Sequence, residues 1–296
     1  MQRFIETHTN EHFDVIVIGG GITGASVAYE AATRGLKVAL LEKKDFSWAT
    51  SAATSKLIHG GLRYLANGEI GLVRESLRER RVLENIAPNF VYPMPMMMTH
   101  NSRPLKNNKW VVKIGMLMYD ALSYDKNFTW DTSKQIPLHK TISKEEVLKN
   151  EPHVRPDGLT GASIFYDCTS IFPERLTLAF IKSAYLNGAK VANYARVEGF
   201  IFGDGHTVKG VQVKDLLTDT THTLNGSVIV NCGGPWADIV LSLANKSGNG
   251  GSTLRRSEGI HIITKKRLVS GNYVVGSMTP TGRHFFLIPW RGHTLI

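Results

Sequence analysis

Asp14-Val-Ile-Val-Ile-Gly-Gly-Gly-Ile-Thr-Gly24 joins a short β-branched run to a glycine-rich turn. The apolar run predicts a buried parallel strand. The turn matches G-x-G-x-x-G, in which Gly19 permits a tight turn, Gly21 lets the backbone approach a pyrophosphate, and Gly24 lets a helix pack on the strand. The helix that follows ends before Gly35, and its N-terminus offers free amides and a positive dipole end to phosphate. This stretch therefore predicts the start of a Rossmann-like α/β unit that binds a dinucleotide.

A second strand supports this interpretation. Lys37-Val-Ala-Leu-Leu41 is apolar and runs directly into Glu42. A carboxylate at this point can accept hydrogen bonds from ribose hydroxyls, and it repels a 2′-phosphate, which argues against NADP. A lone glycine motif would be a weak signal, since a plain strand-to-helix turn can look alike. Strand, glycines, helix, second strand and acid in register make the dinucleotide site specific, but they do not separate FAD from NAD.

An unusual segment follows the second strand. Ala49-Thr-Ser-Ala-Ala-Thr-Ser-Lys-Leu-Ile-His-Gly-Gly-Leu-Arg-Tyr-Leu65 combines small residues, hydroxyls, a Gly-Gly pair and cations with four large aliphatic residues. The segment is too polar for a core and too apolar for a solvated loop. The pattern is typical of a chain that passes close to a cofactor and presents cations to an anionic substrate.

Residues 14–65 resemble the N-terminus of the FAD-dependent glycerol-3-phosphate dehydrogenases. The matching stretches are Ile18-Gly-Gly-Gly-Ile-Thr-Gly-Ala25, Arg34-Gly-Leu36, Ala49-Thr-Ser51 and, most specifically, Ser55-Lys-Leu-Ile-His-Gly-Gly-Leu-Arg-Tyr-Leu65. Weaker matches extend the resemblance over nearly the whole chain; they are Ile114-Gly-Met-Leu-Met-Tyr-Asp120, Arg175-Leu176, Asn231-Cys-Gly-Gly-Pro-Trp236, Gly259-Ile-His261 and Phe286-Leu-Ile-Pro-Trp290. Two departures from the family pattern are mild: Ser26 stands where the family often has Gly, and Glu30 stands where it often has Asp. At Ile171-Phe-Pro-Glu174 the family tends to have acidic residues, which puts the local surface of the substrate domain in question.

The resemblance implies that the cofactor is FAD. The residues expected to bind it are Gly19, Gly21, Gly24, Glu42, Thr50, Ser51, Ser55, Lys56, Val197 and Gly233. The glycines and Glu42 would hold the ADP half, Thr50 to Ser55 would lie along the pyrophosphate and ring, and Lys56 would bond the ring or pyrophosphate. For Cys232-Gly-Gly234 a plain turn at a strand end is the alternative.

The resemblance also implies the catalytic residues. Arg63 and Tyr64 would face the substrate pocket, where the planar guanidinium suits a phosphate; a structural salt bridge is the alternative for Arg63. His261 is the expected general base, within a predicted strand at Gly259–Thr264, although a lone strand histidine is more often structural. His59 is the second candidate.

The implied reaction oxidises sn-glycerol-3-phosphate to dihydroxyacetone phosphate, with hydride passing to flavin N5 and electrons on to a quinone. Peripheral attachment to the cytoplasmic face of the membrane follows from the family. Three alternatives stay open: a glycerophosphate oxidase that reduces oxygen, another FAD oxidoreductase that acts on a 2-hydroxy or amino acid, and a non-catalytic flavin-binding fragment.

The predicted fold class is α/β, with two interleaved domains. Residues 12–76 and 157–243 would form the FAD-binding domain. Its parallel sheet would include a strand at 227–231, and strands at 191–197, 210–215 and 221–224 would form a β-meander. A helix is expected at 69–83, with Leu72, Val73, Leu77 and Leu83 on an apolar side and an Arg/Glu-rich face outside. Residues 77–156 and 244–296 would form an incomplete α+β substrate domain, irregular between 93 and 156 apart from a short helix. Phe285 to Ile296 predicts a hairpin cut off in its second strand. We therefore expect a C-terminally truncated piece that has no dehydrogenase activity by itself.

Composition narrows the function classes. The formal net charge is +10 over 296 residues, but no nucleic-acid-binding motif is present, so we expect no nucleic acid partner. Cys168 and Cys232 lie far apart, no His/Cys cluster has metal-ligand spacing, and we expect neither a metal nor a disulfide framework. Basic residues at 106, 109 and 113 surround Trp110 and could form a patch for an anionic membrane surface. A core or homodimer contact with basic flanks is the alternative.

Overall fold

The two sheets of the molecule belong to different parts of the chain. In the computed structural model, which describes residues 1–7, 11–102, 108–244, 254–279 and 283–296, the chain divides into two compact units. The first unit contains Met1–Thr54 and Phe172–Glu258, and the second contains Ser55–Ile171 and Gly259–Ile296.

The strands are, in chain order, β1 (His12–Ile18), β2 (Val38–Leu41), β3 (Leu57–Ile58), β4 (Tyr92–Asn101), β5 (Lys140–Ile142), β6 (Leu159–Thr169), β7 (Lys190–Ala192), β8 (Ala195–Phe202), β9 (Val208–Asp215), β10 (Thr221–Asn231), β11 (Ile263–Thr264), β12 (Val274–Met278), β13 (His284–Trp290) and β14 (His293–Leu295). The α-helices are α1 (Ile22–Thr33), α2 (Leu62–Leu65), α3 (Ile70–Ile86), α4 (Lys109–Leu122), α5 (Lys144–Asn150), α6 (Pro173–Leu186) and α7 (Ala237–Ser242).

The first unit has a six-stranded sheet in the order β7-β2-β1-β10-β9-β8. Strands β7, β2, β1 and β10 are parallel, while β10, β9 and β8 form an antiparallel meander. The sequence predicted separate strands at 221–224 and 227–231. The structure has one strand, β10, which pairs with β9 from Thr221 to Asn225 and with β1 from Asn225 to Asn231. The predicted strand at 191–197 is instead two strands, because Tyr194 adopts a left-handed φ of 52° between them.

Small residues let the helices of the first unit pack closely on its sheet. The buried face of α1 consists of Gly24, Ala25, Ala28 and Ala32, and these residues share a core cluster with Ile181 and Ala184 of α6. A second cluster includes Phe4, Phe13, Ile16 and Val211. Burying such side chains stabilises each by about 1.5–3 kcal/mol relative to exposure.

The second unit has a mixed sheet in the order β11-β14-β13-β12-β4-β6-β3, with β5 also paired to β6. Strand β12 is parallel to β4, and the other pairs are antiparallel. The predicted hairpin at 285–296 is present as β13 and β14, joined at Arg291 and Gly292, which have φ of 51° and 80°. The prediction of an irregular chain from 93 to 156 was wrong, since β4 and α4 lie there. Proline at 93 and 95 masked the strand pattern.

Helix α3 packs differently from the prediction. The sequence analysis favoured an apolar side with charged residues outside, but Leu72 is exposed and the buried residues are Val73, Leu77, Arg80 and Glu84. These four positions recur at helical spacing and therefore share one face. The core of the second unit thus contains a buried arginine and a buried glutamate.

The α/β fold class, with a parallel sheet, a meander and a second mixed unit, is confirmed. The unit boundaries differ from the predicted domains: residues 55–76 and 157–171 lie in the second unit, because β3 and β6 pair in the second sheet. Within the described ranges, no helix combines the length and the apolar character needed to cross a bilayer. The same residues contain no group of three or more His, Cys, Asp or Glu side chains arranged for a metal ion.

Candidate functional site

The glycine turn of the first unit lies where three parallel strands end. Ile18 is in register with Leu41 of β2 and with Asn231 of β10. Gly19 has a φ of 111°, and a Cβ on it would lie 2.4 Å from the carbonyl oxygen of Cys232. A Cβ on Gly24 would lie 1.8 Å from the carbonyl oxygen of Gly19. Only glycine fits at either position, so the turn and the start of α1 are held close to the sheet.

The N-terminus of α1 is free of side chains that would block an anion. Gly21 precedes the helix, has no side chain to cap it, and no acidic residue lies in the first turn. A Cβ on Gly21 would lie 3.1 Å from Oγ of Ser51. This hydroxyl accepts a hydrogen bond from the amide of Ile22 at 2.9 Å, so Ser51 lies at the helix N-terminus. Thr50 beside it is exposed.

Glu42 is connected to the glycine turn. Its Oε2 accepts a hydrogen bond from the amide of Gly20 at 2.7 Å, and its Oε1 accepts one from the amide of Lys44 at 2.8 Å. Each carboxylate oxygen has two acceptor positions, so Glu42 can still accept bonds from ribose hydroxyls. The sequence analysis did not foresee that the same side chain also fixes the turn.

The end of β10 completes this edge of the sheet. The amide of Gly233 donates to Oδ1 of Asn231 at 3.1 Å, and a Cβ on Gly233 would lie 3.0 Å from the same oxygen. Val197 lies in β8, is half-buried, and packs against the core cluster that contains Phe13. Gly233 therefore lies at the same edge as the glycine turn, whereas Val197 lies in the meander.

Sequence analysis missed an aromatic pair at this edge. The rings of Trp48 and Trp236 are 6.4 Å apart. Nζ of Lys43 lies 4.7 Å from the centroid of Trp236, and Nζ of Lys44 lies 3.5 Å from the centroid of Trp48. The two lysines directly follow Glu42 and give the edge a positive charge. A Lys-Lys pair after the acid was the available signal, but its proximity to the tryptophans depends on tertiary structure.

The second unit contains the other predicted residues of the segment, grouped on one turn. Gly61 has a φ of 71° and precedes α2, and its amide donates to Nδ1 of His59 at 3.0 Å. His59, Arg63 and Tyr64 are all exposed. Arg63 forms no ion pair with any described carboxylate, and the segments outside the described ranges contain no Asp or Glu. The geometry thus leaves this guanidinium available for an anion.

Lys56 occupies a constrained position at the start of β3. It is 8% exposed, has a left-handed φ of 65°, and its Nζ lies 5.4 Å from the ring centroid of Trp290. Its carbonyl oxygen accepts hydrogen bonds from the amide of Ser170 and the hydroxyl of Thr169, both at 2.8 Å. Lys56 is therefore not a surface lysine. Ser55, the preceding residue, is half-buried.

His261 lies in a different segment of the second unit. The predicted strand at Gly259–Thr264 is only β11, Ile263–Thr264, and His261 is exposed in the segment before it. Ile260 and Ile262 are exposed as well, so the predicted alternation of buried and exposed faces does not occur. No hydrogen bond between described residues connects His261 to His59 or Arg63. The structure brings together three of the four predicted catalytic residues, His59, Arg63 and Tyr64.

A buried polar network lies directly behind this turn and was also missed. The hydroxyl of Tyr119 is 2.8 Å from each carboxylate oxygen of Asp167, and the amide of Gly60 donates to that hydroxyl at 2.9 Å. Arg80 forms an ion pair with Asp167 at 2.5 Å. The spacing of Val73, Leu77 and Arg80 on α3 was the available signal for a buried arginine.

Burial sets the protonation of this network. It raises the pKa of Tyr119 well above its ordinary value, with the Asp167 charge adding to the effect. Burial likewise raises the pKa of the Cys168 thiol. It also raises the pKa of Glu84, one helical turn beyond Arg80. Tyr119 and Cys168 therefore stay protonated, and the ion pair of Arg80 with Asp167 is the main charge pair at the centre of the network.

The edge of the first unit fits an anionic dinucleotide. Gly19 and Gly24 keep the turn and α1 close to the sheet, and Gly21 has no side chain at the N-terminus of α1, where a pyrophosphate would lie. Glu42 can accept hydrogen bonds from ribose hydroxyls, and Lys43 and Lys44 add positive charge. These features match what ADP-containing cofactors require. The residues present therefore fit the ADP half of FAD.

Comparison with known proteins gives the family. The FAD dependent oxidoreductase family model matches residues 14–296. An alpha-glycerophosphate oxidase of Streptococcus pneumoniae is 34% identical over 95% of this chain and 45% of its own length. An aerobic glycerol-3-phosphate dehydrogenase of Staphylococcus epidermidis is 34% identical over 96% of this chain and 49% of its own. The chain thus spans about half the length of the curated relatives it matches.

Solved structures agree. The glycerol-3-phosphate dehydrogenase of Bacillus halodurans, complexed with FAD, superposes with a TM-score of 0.71 at 28% identity, covering 98% of this chain and 48% of that one. The L-alpha-glycerophosphate oxidase of Mycoplasma pneumoniae, with FAD bound, has a TM-score of 0.66 at 19% identity over 97% of this chain and 71% of that one, a likeness of fold alone. The predicted resemblance and the predicted cofactor, FAD, are confirmed, and the chain belongs to the FAD dependent oxidoreductase family.

Proposed function

We propose that this protein, in its natural length, oxidises sn-glycerol-3-phosphate to dihydroxyacetone phosphate and passes the electrons to a quinone. The observation that carries the proposal is the turn from His59 to Tyr64. It presents an exposed arginine without an ion-pair partner among the described carboxylates, beside a histidine and a tyrosine. Relatives with names of this activity are 34% identical to the chain.

The residues of the two units have separate tasks in this proposal. FAD, when bound, accepts the hydride from the substrate carbon. Gly19, Gly21, Gly24 and Glu42 hold its ADP half. Arg63 binds the phosphate dianion through its planar fork of donors. The remaining predicted flavin contacts are Thr50, Ser51, Ser55, Lys56, Val197 and Gly233.

A base must take the hydroxyl proton of the substrate. We keep His261 as the proposed base, with its imidazole nitrogen as the accepting atom. His59 is the alternative. Its Nδ1 accepts a hydrogen bond from the amide of Gly61, so Nε2 carries the proton of the neutral imidazole. His59 would therefore act as the base only through Nδ1, after the bond from Gly61 is released. Replacing each histidine by glutamine separates the two assignments.

The activity is tested with the purified full-length protein and a panel of substrates. Glycerol-3-phosphate, glycerol, lactate and several amino acids are each supplied with a quinone analogue as acceptor. We expect turnover with glycerol-3-phosphate only, because Arg63 is proposed to bind a phosphate dianion, which glycerol lacks and which the single carboxylate of lactate or an amino acid does not match in charge. Preferential turnover of an amino acid would replace this proposal with that of another FAD oxidoreductase.

The second candidate is a glycerophosphate oxidase, favoured by the relative of that name in Streptococcus pneumoniae. The two candidates share the substrate and differ in the electron acceptor. Rapid reoxidation of the reduced protein by air, with stoichiometric hydrogen peroxide, would support the oxidase. Slow reoxidation by air and fast reoxidation by a quinone analogue would support the dehydrogenase.

We also propose that the protein attaches peripherally to the cytoplasmic face of a membrane through α4. The exposed side chains of this helix are Lys109, Trp110, Val111, Lys113, Ile114, Leu117 and Met118. Asp120, its one acid, is bound by Lys126 and His139 at 2.7 and 2.6 Å. An exposed apolar face with lysines and no free acid suits an anionic lipid surface. Lys106, which the sequence analysis placed in this patch, lies outside the described residues.

Vesicle sedimentation tests the attachment. We expect binding to vesicles that contain phosphatidylglycerol and weak binding to pure phosphatidylcholine. Ile114→Asp should abolish it, while Ile239→Asp, a matched exposed position on α7, should not. The oligomeric state of the variant and of the wild-type protein is measured in parallel. In the alternative, where this helix face is a homodimer contact, Ile114→Asp converts a dimer to a monomer and leaves vesicle binding unchanged.

A further inference from the structure

The turn that carries His59 and Arg63 is fixed from behind by buried polar side chains. We propose that Tyr119 and Asp167 are positioning residues, which hold the amide of Gly60 and thereby set where His59 and Arg63 stand for the substrate. The inference rests on the proposed function, because it assigns these residues to the same site. Two buried acceptors, on Tyr119 and Asp167, converge on this one backbone amide.

The hydrogen-bond directions in the network are determined by its chemistry. A carboxylate can only accept hydrogen bonds, so the hydroxyl of Tyr119 donates its hydrogen bond to Asp167, whose two oxygens both lie 2.8 Å away. The oxygen of Tyr119 then accepts from the amide of Gly60 at 2.9 Å, and Oδ1 of Asp167 accepts a second, longer contact from that amide at 3.2 Å. The raised pKa of Tyr119 keeps its donor proton in place at neutral pH. One amide is thus held by two buried acceptors.

The close approach explains the first glycine of the Gly-Gly pair. A Cβ on Gly60 would lie 2.5 Å from the hydroxyl oxygen of Tyr119 and 2.4 Å from Cδ2 of Leu77. No side chain fits in that space, because both neighbours are buried. The second glycine has a different reason, its left-handed φ of 71° before α2. In this pair, Gly60 is the residue held by the buried side chains, and Gly61 is the residue in a left-handed backbone conformation.

The anchored amide lies between the two functional residues. Gly60 directly follows His59, and three residues later Arg63 projects from α2. The amide of Gly61 donates to Nδ1 of His59, and the carbonyl oxygen of Gly61 accepts from the amide of Tyr64 at 2.7 Å. A shift of Gly60 would consequently move His59 and the first turn of α2 together.

Arg80 pairs with the carboxylate of Asp167 inside the protein. Both side chains are at most 3% exposed, and Arg80 also donates to the carbonyl oxygen of Tyr166 at 3.1 Å. Buried ion pairs contribute little net stability, because desolvation offsets their attraction. The ion pair of Arg80 with Asp167 is connected through Tyr119 to the amide of Gly60. Its role is therefore better explained by the positioning of this amide than by a contribution to stability.

The test uses the full-length protein with its flavin and the variants Tyr119→Phe and Tyr273→Phe. The second is the control, since Tyr273 is half-buried in the second unit and packs in a different core cluster. We expect Tyr119→Phe to raise KM for glycerol-3-phosphate about fivefold, the factor for one hydrogen bond of about 1 kcal/mol, with kcat nearly unchanged. The preference for glycerol-3-phosphate over glycerol should fall by the same factor. The control should change neither value. Equal losses on both substrates, or an unchanged KM, would overturn the proposal.

A second measurement does not depend on catalysis or on the variant's folding. In the wild-type protein, hydrogen exchange at the amide of Gly60 should be far slower than at the amide of Gly61, whose acceptor is an exposed histidine. Rapid exchange at Gly60 would overturn the positioning role even if the enzyme is active. A protein that protects Gly60 but does not oxidise glycerol-3-phosphate would instead contradict the proposed function alone.

Discussion

The carboxylate of Glu42 accepts a hydrogen bond from the amide of Gly20 at 2.7 Å. The side chain expected to bind ribose is therefore also the side chain that shapes the phosphate-binding turn. A substitution here removes the ribose contact and loosens the turn, so its effect on cofactor binding has two causes.

We expect Glu42→Ala to weaken FAD binding roughly 10- to 100-fold, as for loss of a hydrogen bond to a charged group. The dissociation constant is measured by adding FAD to the deflavinated protein and following flavin fluorescence. The matched control is Glu30→Ala, which removes an exposed carboxylate of α1 that pairs with Arg34 at the end of the same helix. Equal affinity of both variants would show that Glu42 does not contact the cofactor.

Arg63→Met should raise KM for glycerol-3-phosphate roughly 10- to 100-fold, because a charged hydrogen-bond donor to the phosphate is lost. Turnover of unphosphorylated glycerol should change far less, since glycerol has no group for the guanidinium. Arg78→Met, at an exposed position on α3, should leave both KM values unaltered. Steady-state kinetics on the two substrates decide the outcome, and a parallel loss on both would return Arg63 to a structural role.

His261→Gln should lower kcat by roughly 10²–10⁴-fold, the usual loss for a general base. The loss should fall mainly on kcat rather than on KM, since the base acts in the chemical step. His153→Gln, at an exposed histidine, serves as the control. If His261→Gln keeps its kcat, the base is elsewhere and His59→Gln is the next variant.

Stability should fall in mild acid because of His100. This residue is fully buried, its Nε2 lies 2.9 Å from Oγ of Ser163, and burial, with a smaller contribution from Lys109, lowers its pKa to about 4. The unfolded chain takes up a proton near the ordinary histidine pKa of about 6.5, whereas the folded protein does so only near 4. The histidine contribution to stability is therefore present above pH 6.5 and is lost as the pH falls toward 4.

Thermal unfolding between pH 4 and 7 measures this effect. His100→Gln should flatten the decline of the melting temperature in that range, and His153→Gln should leave it as in wild type. An unchanged slope in His100→Gln would mean that other groups cause the acid sensitivity.

The first unit could be predicted from sequence because its signals are local. Strand β1, the glycine turn, α1 and Glu42 follow one another within thirty-one residues, from His12 to Glu42, and each has a characteristic composition. Strand β10 was divided in two by the prediction, since Asn225-Gly226 resembles a turn. In the structure Gly226 stays in the strand, and a Cβ there would lie 2.8 Å from Cδ1 of Ile16.

The network behind Gly60 could not be predicted in the same way. Its members come from α3, α4 and β6 and lie up to 107 residues apart from the turn. Arginine and aspartate on their own are typical of a surface, and only pairing makes their burial tolerable. The strand prediction for Gly259–Thr264 was wrong for a related reason. Alternating apolar residues predicted a strand, but whether this segment forms backbone hydrogen bonds depends on β14 and the rest of the sheet.

Reduction of the bound flavin by substrate, without oxygen, tests the central claim most directly. Acid precipitation of the purified full-length protein should first release FAD, which establishes the cofactor and its non-covalent attachment. Anaerobic addition of sn-glycerol-3-phosphate to the intact protein should then bleach the visible absorption band of the flavin, and glycerol at the same concentration should not. A flavin that remains oxidised with glycerol-3-phosphate, but is bleached by an amino acid or a 2-hydroxy acid, would contradict the account.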